Sequence, residues 1–175
     1  MFEGTADRLD DAAVPRDGTL TRLRAFHSVD ALGAEIDYTK LDLRASSFWT
    51  LRRRHTLLAA VDGGWTPDGE LPGYDQFTIG GLGSLSGFNQ GELRGSYYGV
   101  LRLGYYYRLF GTVYAGGWAE AGNIWTTEDS VDFDDLIGAL TGIIAIDSAF
   151  GPVYLGYGQA EEGNGKLYLR VGRAF

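Results

Sequence analysis

The chain alternates apolar and polar residues over about eight separate runs, and this pattern predicts an antiparallel β-protein. Successive side chains of a strand face opposite sides of a sheet, so each run has one apolar and one polar face. The run 136–147 is apolar on both faces, so its period leaves the orientation open and does not exclude a short helix. The predicted strands cover residues 19–27, 38–49, 54–65, 96–109, 112–123, 136–147, 152–158 and 166–175.

The last run alternates down to an aromatic residue at the C-terminus. The final strand of a transmembrane β-barrel has this form, because it must pair with an earlier strand and leave no free edge in the bilayer. An edge strand of a soluble protein shows the same alternation, so this segment alone does not decide between the two. Its apolar positions are Leu167, Leu169, Val171 and Phe175.

The polar faces of the runs carry charged residues of both signs instead of the Thr and Ser of an ordinary solvated face. Both signs occur together, as an ion-paired barrel interior requires, and aromatic residues such as Trp49, Trp65 and Tyr105 crowd the strand ends. Aromatic rings of this kind form the girdles of membrane barrels at headgroup depth. We therefore expect an all-β, antiparallel transmembrane β-barrel of about eight strands. Its predicted interior charges include Arg44, Arg102, Arg108 and Arg170.

Composition narrows the class of protein further. The 175 residues suit one domain, and the absence of cysteine excludes a disulfide framework and thiolate metal sites. No run approaches the ~18 to 20 apolar residues of a membrane helix. The net charge of −8 and the scattered basic residues argue against a nucleic-acid partner, and the cluster 52–54 is typical of a solvated turn.

The domain organisation has two parts. Residues 1–18 are acidic and are predicted to be a leader segment without a core face, and residues 19–175 form the barrel. A glycine-rich connection of about thirty residues, 66–95, interrupts the barrel, and a loop of this length is usually functional. Phe77, Leu85 and Phe88 are costly to leave in water, which favours packing inside the barrel over a disordered extracellular connection.

Several short motifs follow one another in a fixed order over nearly the whole chain. They are Leu85-Ser86-Gly87-Phe88, Gly91-Glu92-Leu93, residues 105–109, 120–125 and 151–158, and the C-terminal residues 167–169 with 172–175. With these motifs the connection resembles the inward-folded loop of the bacterial surface antigen superfamily, whose outer-membrane barrels insert proteins into the outer membrane or move them across it. Within that superfamily the sequence is most similar to the C-terminal barrels of bacterial patatin-like phospholipases, which are type V autotransporters with an N-terminal lipase.

The resemblance assigns roles to particular residues. It implies a loop motif, a barrel-wall partner at Glu120 and an assembly signal formed by Leu167, Leu169, Val171 and Phe175. Insertase members carry an arginine before the Gly-aromatic pair, whereas this chain has Ser86, which cannot form that ion pair. Arg94 is the expected substitute. The loop motif comprises Gly80, Gly81, Leu85, Ser86, Gly87, Phe88 and Arg94.

The family barrel has about sixteen strands, so the chain would be its second half. Either it closes alone into a small barrel with the loop outside, or two copies pair edge to edge into a larger one. The small closed barrel is the arrangement that we expect from the strand count.

The chain is not expected to be an enzyme. The residues Gly83-Ser84-Leu85-Ser86-Gly87 do not form a Gly-x-Ser-x-Gly elbow, and any lipase domain would lie in a missing N-terminal part. Neither histidine has metal-ligand spacing, so no cofactor or metal is expected.

The resemblance therefore implies the translocator or anchor domain of a patatin-like autotransporter in the bacterial outer membrane. Its expected partners are outer-membrane lipid or detergent, the barrel-assembly machinery and a second copy of the chain in a homodimer. The alternatives are an insertion or translocation barrel of the same superfamily, a passive pore, or a soluble β-barrel binding module.

Overall fold

The structure, a computed structural model, describes residues 1–11, 14–28, 37–67, 69–148, 151–163 and 165–172. Its strands are β1 (Phe2–Asp7), β2 (Gly18–Ser28), β3 (Tyr38–Leu51), β4 (His55–Trp65), β5 (Phe77–Ile79), β6 (Leu93–Gly95), β7 (Tyr97–Phe110), β8 (Val113–Trp125), β9 (Ile137–Ser148), β10 (Gly151–Ala160) and β11 (Lys166–Val171). Nine of them form one antiparallel sheet in the order β1-β2-β3-β4-β7-β8-β9-β10-β11, and β5 pairs with β6 in a small ribbon. The all-β antiparallel prediction is confirmed.

The segment predicted to be a leader contains the first strand, so that prediction is wrong for Phe2–Asp7. β1 pairs with β2 from Phe2 opposite Ala25 to Asp7 opposite Leu20. Backbone N–H and C=O groups make this pairing whatever the side chains are, so the weak alternation of the segment did not signal it.

The run that was apolar on both faces is a strand throughout, because β9 pairs with both β8 and β10. Ile143 and Ala145 are buried on one side of β9, and Leu140 and Ile144 are exposed on the other. The side chains of β9 therefore alternate between the two faces of the sheet, and this segment is not a helix.

The sheet is open in the part of the chain that the structure describes. Its edges, β1 and β11, each have a single neighbour, β2 and β10 respectively. The small closed barrel with the loop outside is therefore not the arrangement found, since the sheet has more strands than expected and the loop lies against it. The sheet corresponds to an incomplete barrel wall.

The apolar face of the sheet is exposed and its charged face is covered, which is the opposite of the arrangement in a soluble protein. A soluble sheet packs its apolar face against another layer, whereas here Leu103 is 56% exposed and the neighbouring Arg102 only 5%. We call the apolar, exposed side the outer face and the charged, covered side the inner face. Other exposed side chains of the outer face are Leu43, Leu101, Leu140, Leu155, Leu167 and Leu169.

The connection between β4 and β7 covers the inner face. Its apolar residues Leu71, Phe77, Ile79, Leu85 and Phe88 are all buried, and they form one cluster with side chains of the sheet. These five side chains of the connection therefore pack against the inner face of the sheet. The sheet residues of that cluster are Tyr38, Tyr98, Val100, Ile137, Ala139 and Ala160.

Helical structure is minimal in the described ranges. It consists of one 3-10 turn at Glu128–Ser130, in the connection from β8 to β9. No helix in these ranges is long and apolar enough to cross a membrane.

Candidate functional site

The tip of the loop is fixed to the inner face by a small set of buried polar groups, which we call the latch: Gly83, Ser86, Arg102 and Glu120. The Ser86 backbone N–H donates to Oε2 of Glu120 at 2.8 Å. The other carboxylate oxygen of Glu120 lies 3.5 Å from Nε of Arg102. The Arg102 guanidinium in turn donates through Nη2 to the Gly83 carbonyl oxygen. Two charged wall residues therefore hold two backbone groups of the loop.

The sheet register explains why the two wall charges meet. Arg102 of β7 lies directly opposite Glu120 of β8, so both side chains emerge on the same face. A further carboxylate, Asp62 of β4, lies 3.4 Å from the Arg102 guanidinium on its other side. Because Glu120 and Arg102 are almost fully buried, each needs the other to offset its loss of solvation.

Close approach of the loop to the wall depends on glycines on both sides of the contact. Gly87 has a φ of +111°, and a Cβ there would overlap the backbone nitrogen of Ala160. A Cβ on Gly158 of β10 would lie 2.5 Å from the Cβ of Ser86. Neither position has room for a larger residue, which is a common reason for glycine within a strand.

Tyr168 of β11 extends the contact to the edge of the sheet. Its hydroxyl accepts a hydrogen bond from the Gly87 N–H at 2.7 Å and donates one to the Phe88 carbonyl oxygen at 2.7 Å. The loop tip is therefore tied to β7, β8 and β11 at once. Sequence reasoning missed Tyr168 and Gly158, although a tyrosine on a polar face and a glycine inside a strand were the available signals.

The remaining residues of the loop motif form a turn next to the latch, pack in the inner cluster or, for Arg94, lie exposed in β6. Gly80 and Gly81 have positive φ angles and form a turn in which the Gly80 N–H donates to the Ser84 carbonyl oxygen. Leu85 and Phe88 are buried in the inner cluster. The expected substitution by Arg94 is wrong, since Arg94 is exposed in β6 and the cation beside Glu120 is Arg102.

The predicted interior arginines do not all lie together. Arg44 and Arg170 line a cavity of about 210 Å³ with Arg102 and Asp62, and Arg44 is half-exposed and 3.3 Å from Asp42. Arg108 lies apart, near the C-terminal end of β7, where its Nε donates to the Gly111 carbonyl oxygen.

The residues of the expected assembly signal lie at the sheet edge where the structure describes them. Leu167, Leu169 and Val171 are exposed on the outer face of β11. Phe175 lies outside the described residues.

The two histidines are not part of the latch and form hydrogen bonds elsewhere in the sheet. The His27 ring bonds the Thr39 hydroxyl, and the His55 ring bonds the Tyr105 hydroxyl. Within the described ranges, no group of three or more His, Cys, Asp or Glu side chains could hold a metal ion.

An antiparallel sheet with an exposed apolar face, a covered charged face and an inward loop defines the wall of a transmembrane β-barrel. A sequence profile of the Omp85 superfamily domain matches residues 2–175. The chain therefore belongs to the Omp85 superfamily and to the bacterial outer membrane. The alternative of a soluble β-barrel binding module is wrong.

One solved structure illustrates the shared fold. The structure of BamA from Haemophilus ducreyi lacking POTRA domains 1-3 superposes with a TM-score of 0.76 at 14% sequence identity. The match covers 97% of this chain and 40% of that one, so the chain spans less than half the length of the BamA chain. At this identity the likeness shows the fold alone. No curated protein sequence matches the chain.

Arginine on the outer face is expected to destabilise the barrel in proportion to its depth in the bilayer. Leu103→Arg, at the middle of β7, should cost about 2 to 4 kcal/mol, because its charge would lie near the midplane. Leu109→Arg, at the end of the same strand, should cost at most about 1 kcal/mol. Urea unfolding of the full-length protein in lipid vesicles measures both, and equal costs would contradict a lipid-facing outer face.

Proposed function

We propose that the chain belongs to a barrel that inserts proteins into the outer membrane or moves them across it, with the loop as a releasable plug. The observation that supports this is the latch, which fixes the loop tip on the inner face through buried polar groups. A passive pore needs no interior segment held in this way. A barrel that admits a polypeptide only at times needs a segment that closes it between events.

The charged groups of the latch belong to the barrel wall, and this arrangement allows the loop to be released repeatedly. Both charges, Arg102 and Glu120, belong to adjacent wall strands, so they remain paired when the loop leaves. The loop contributes only the Ser86 N–H and the Gly83 carbonyl, which water can satisfy. Release then forfeits charge-assisted hydrogen bonds worth about 1.5 to 3 kcal/mol each, and it leaves no buried charge without a partner.

A more specific candidate for the function is the translocator or anchor barrel of a patatin-like autotransporter. Ser86 supports it, because the resemblance places an arginine there in insertases and this chain has none. In this proposal the barrel-assembly machinery recognises the outer face of β11, and the enzyme activity resides in another part of the protein. The open edges at β1 and β11 would be completed by further strands or by a second copy, because a free strand edge is not tolerated in lipid.

Reconstitution of the full-length protein in lipid vesicles tests the proposal. If the barrel inserts proteins, it will speed the folding of an unfolded small outer-membrane barrel added from outside. If it serves as an anchor, it will not do so, but cells will export the domain joined to it. Steady ion conductance with neither activity would overturn the proposal and favour a passive pore.

A variant at the loop contact of β11 connects the activity to the loop. Tyr168→Phe removes two hydrogen bonds from the loop tip without changing a charge. We expect more frequent channel openings in planar bilayers, and faster protein insertion or export, than for the unsubstituted protein. Tyr157→Phe is the matched control, since Tyr157 is 53% exposed and lies away from the loop contact. Equal behaviour of the two variants would contradict a plug that must be released.

A further inference from the structure

The turn between β3 and β4 is built from three consecutive arginines, Arg52, Arg53 and Arg54, all exposed. Arg52 has a φ of 51° and Arg53 a φ of 64°, a left-handed backbone that glycine or asparagine adopts far more readily. Residues held in such conformations cost about 1 to 3 kcal/mol each and are concentrated at functional sites. The turn keeps arginine at both positions despite that cost.

The neighbouring hairpin, formed by β7 and β8, adds a fourth arginine and an apolar surface near its turn. The Arg108 N–H donates to the Arg54 carbonyl oxygen at 2.8 Å, which places the ends of the two hairpins side by side. Between them lies a cavity of about 230 Å³, lined by Arg53, Arg54, Arg108, Leu109, Phe110 and Gly111. Phe110 is 70% exposed.

These arginines lack acidic partners in the part of the chain that the structure describes. None of the ion pairs there involves Arg52, Arg53, Arg54 or Arg108. In a chain of net charge −8, these four arginines form a local group of positive charges without an ion pair among the described residues. The opposite end of the sheet carries exposed carboxylates, among them Glu128, Asp129, Asp132, Asp134 and Asp135.

The depth of the two turns in the bilayer determines which part of the lipid they contact. Trp49 and Tyr105 lie on the outer face near the ends of β3 and β7 and are exposed, as interfacial aromatic residues are. The arginine turn follows Trp49 by three residues, which places it at headgroup depth. Short turns of bacterial barrels face the periplasm and long loops face outward, so this rim lies at the inner leaflet.

We infer that the rim formed by residues 52–54 and 108–111 binds the headgroup of an anionic phospholipid of the inner leaflet. Guanidinium groups pair with phosphate in a two-pronged geometry that ammonium groups do not reproduce. Leu109 and Phe110 lie beside the arginines, where the first carbons of the acyl chains would contact them. Phosphate chemistry and apolar surface together select a lipid over a free phosphate ion.

Native mass spectrometry of the full-length protein, purified in neutral detergent and titrated with phosphatidylglycerol or phosphatidylcholine, tests the inference. We expect phosphatidylglycerol to bind preferentially. The paired substitution Arg53→Gln and Arg54→Gln should weaken it by about 30-fold, from the usual contribution of arginines near an anionic surface. Arg22→Gln with Arg24→Gln is the control, since it removes the same charge from β2, beside Glu3. That pair should leave binding unchanged.

Two further variants separate headgroup charge from other causes. Arg53→Lys with Arg54→Lys keeps the charge but loses the two-pronged pairing, so it should weaken phosphatidylglycerol binding less than the glutamine pair does. Phe110→Ser should weaken phosphatidylglycerol but not inorganic phosphate. If the glutamine pair binds phosphatidylglycerol as well as the unsubstituted protein, or if the β2 control loses as much, the inference is overturned. It is also overturned if inorganic phosphate displaces the lipid and Phe110→Ser has no effect, because the site would then bind free phosphate.

Discussion

Arg102→Leu is expected to lower the free energy of unfolding by about 3 to 5 kcal/mol, the usual cost of removing one member of a buried ion pair. The substitution leaves Glu120, whose side chain is fully buried, without a cation, and it also leaves Asp62 nearby as a second carboxylate. It removes the donor to the Gly83 carbonyl as well. Urea unfolding of the full-length protein in lipid vesicles, followed by tryptophan fluorescence, measures the loss.

A double variant distinguishes a broken pair from lost packing. Arg102→Leu with Glu120→Leu removes both charges, so it should cost less than Arg102→Leu alone. Part of the cost remains, because the Ser86 N–H then loses its acceptor. Arg44→Leu is the matched control, since Arg44 is half-exposed beside Asp42 and should cost at most about 1 kcal/mol. A double variant less stable than the single one would contradict the role assigned to the pair.

Gly87→Ala is expected to displace the loop tip from the wall. The new Cβ would overlap the Ala160 backbone, and an alanine with a φ of +111° is strained in any case. We expect protease cleavage within the loop to become at least about tenfold faster, which corresponds to a loss of about 1.4 kcal/mol from loop docking. The strands should remain resistant, because their pairing does not involve Gly87.

Gly69→Ala controls for backbone strain alone. Gly69 has a similar φ of +99°, but nothing lies within 4 Å of a Cβ placed there. This variant should leave cleavage of the loop tip nearly unchanged. Equal cleavage of the two alanine variants would mean that strain, and not close approach to Ala160, fixes the loop.

The strands and their two faces were largely predictable from the sequence, because a period of two records which side chains share a face. Leu101 and Leu103 alternate with Arg102, and the structure places both leucines on the outer face and the arginine on the inner face. The prediction failed at Phe2–Asp7, where strand pairing uses backbone groups and needs no alternation. It also left β9 ambiguous, since small or apolar residues occupy both of its faces.

The latch was predictable only in part. Glu120 and Ser86 were placed at a loop–wall contact through the resemblance, but the cation was assigned to Arg94. The register between β7 and β8 puts Arg102 opposite Glu120, and register is a property of the paired strands. The loop also binds through the Ser86 N–H and the Gly83 carbonyl, and every residue type has such backbone groups.

By itself the sequence determined an antiparallel wall with an apolar side and a charged side, because each strand records its two faces in its own alternation. It also predicted that the connection 66–95 packs inward, because its phenylalanines and leucines are costly in water. Only the tertiary structure decided which charges meet, that Tyr168 and Gly158 receive the loop, and that the arginine turn and Phe110 share one cavity. These contacts join residues far apart in the chain, and they depend on strand register and backbone geometry, which no local pattern of side chains records.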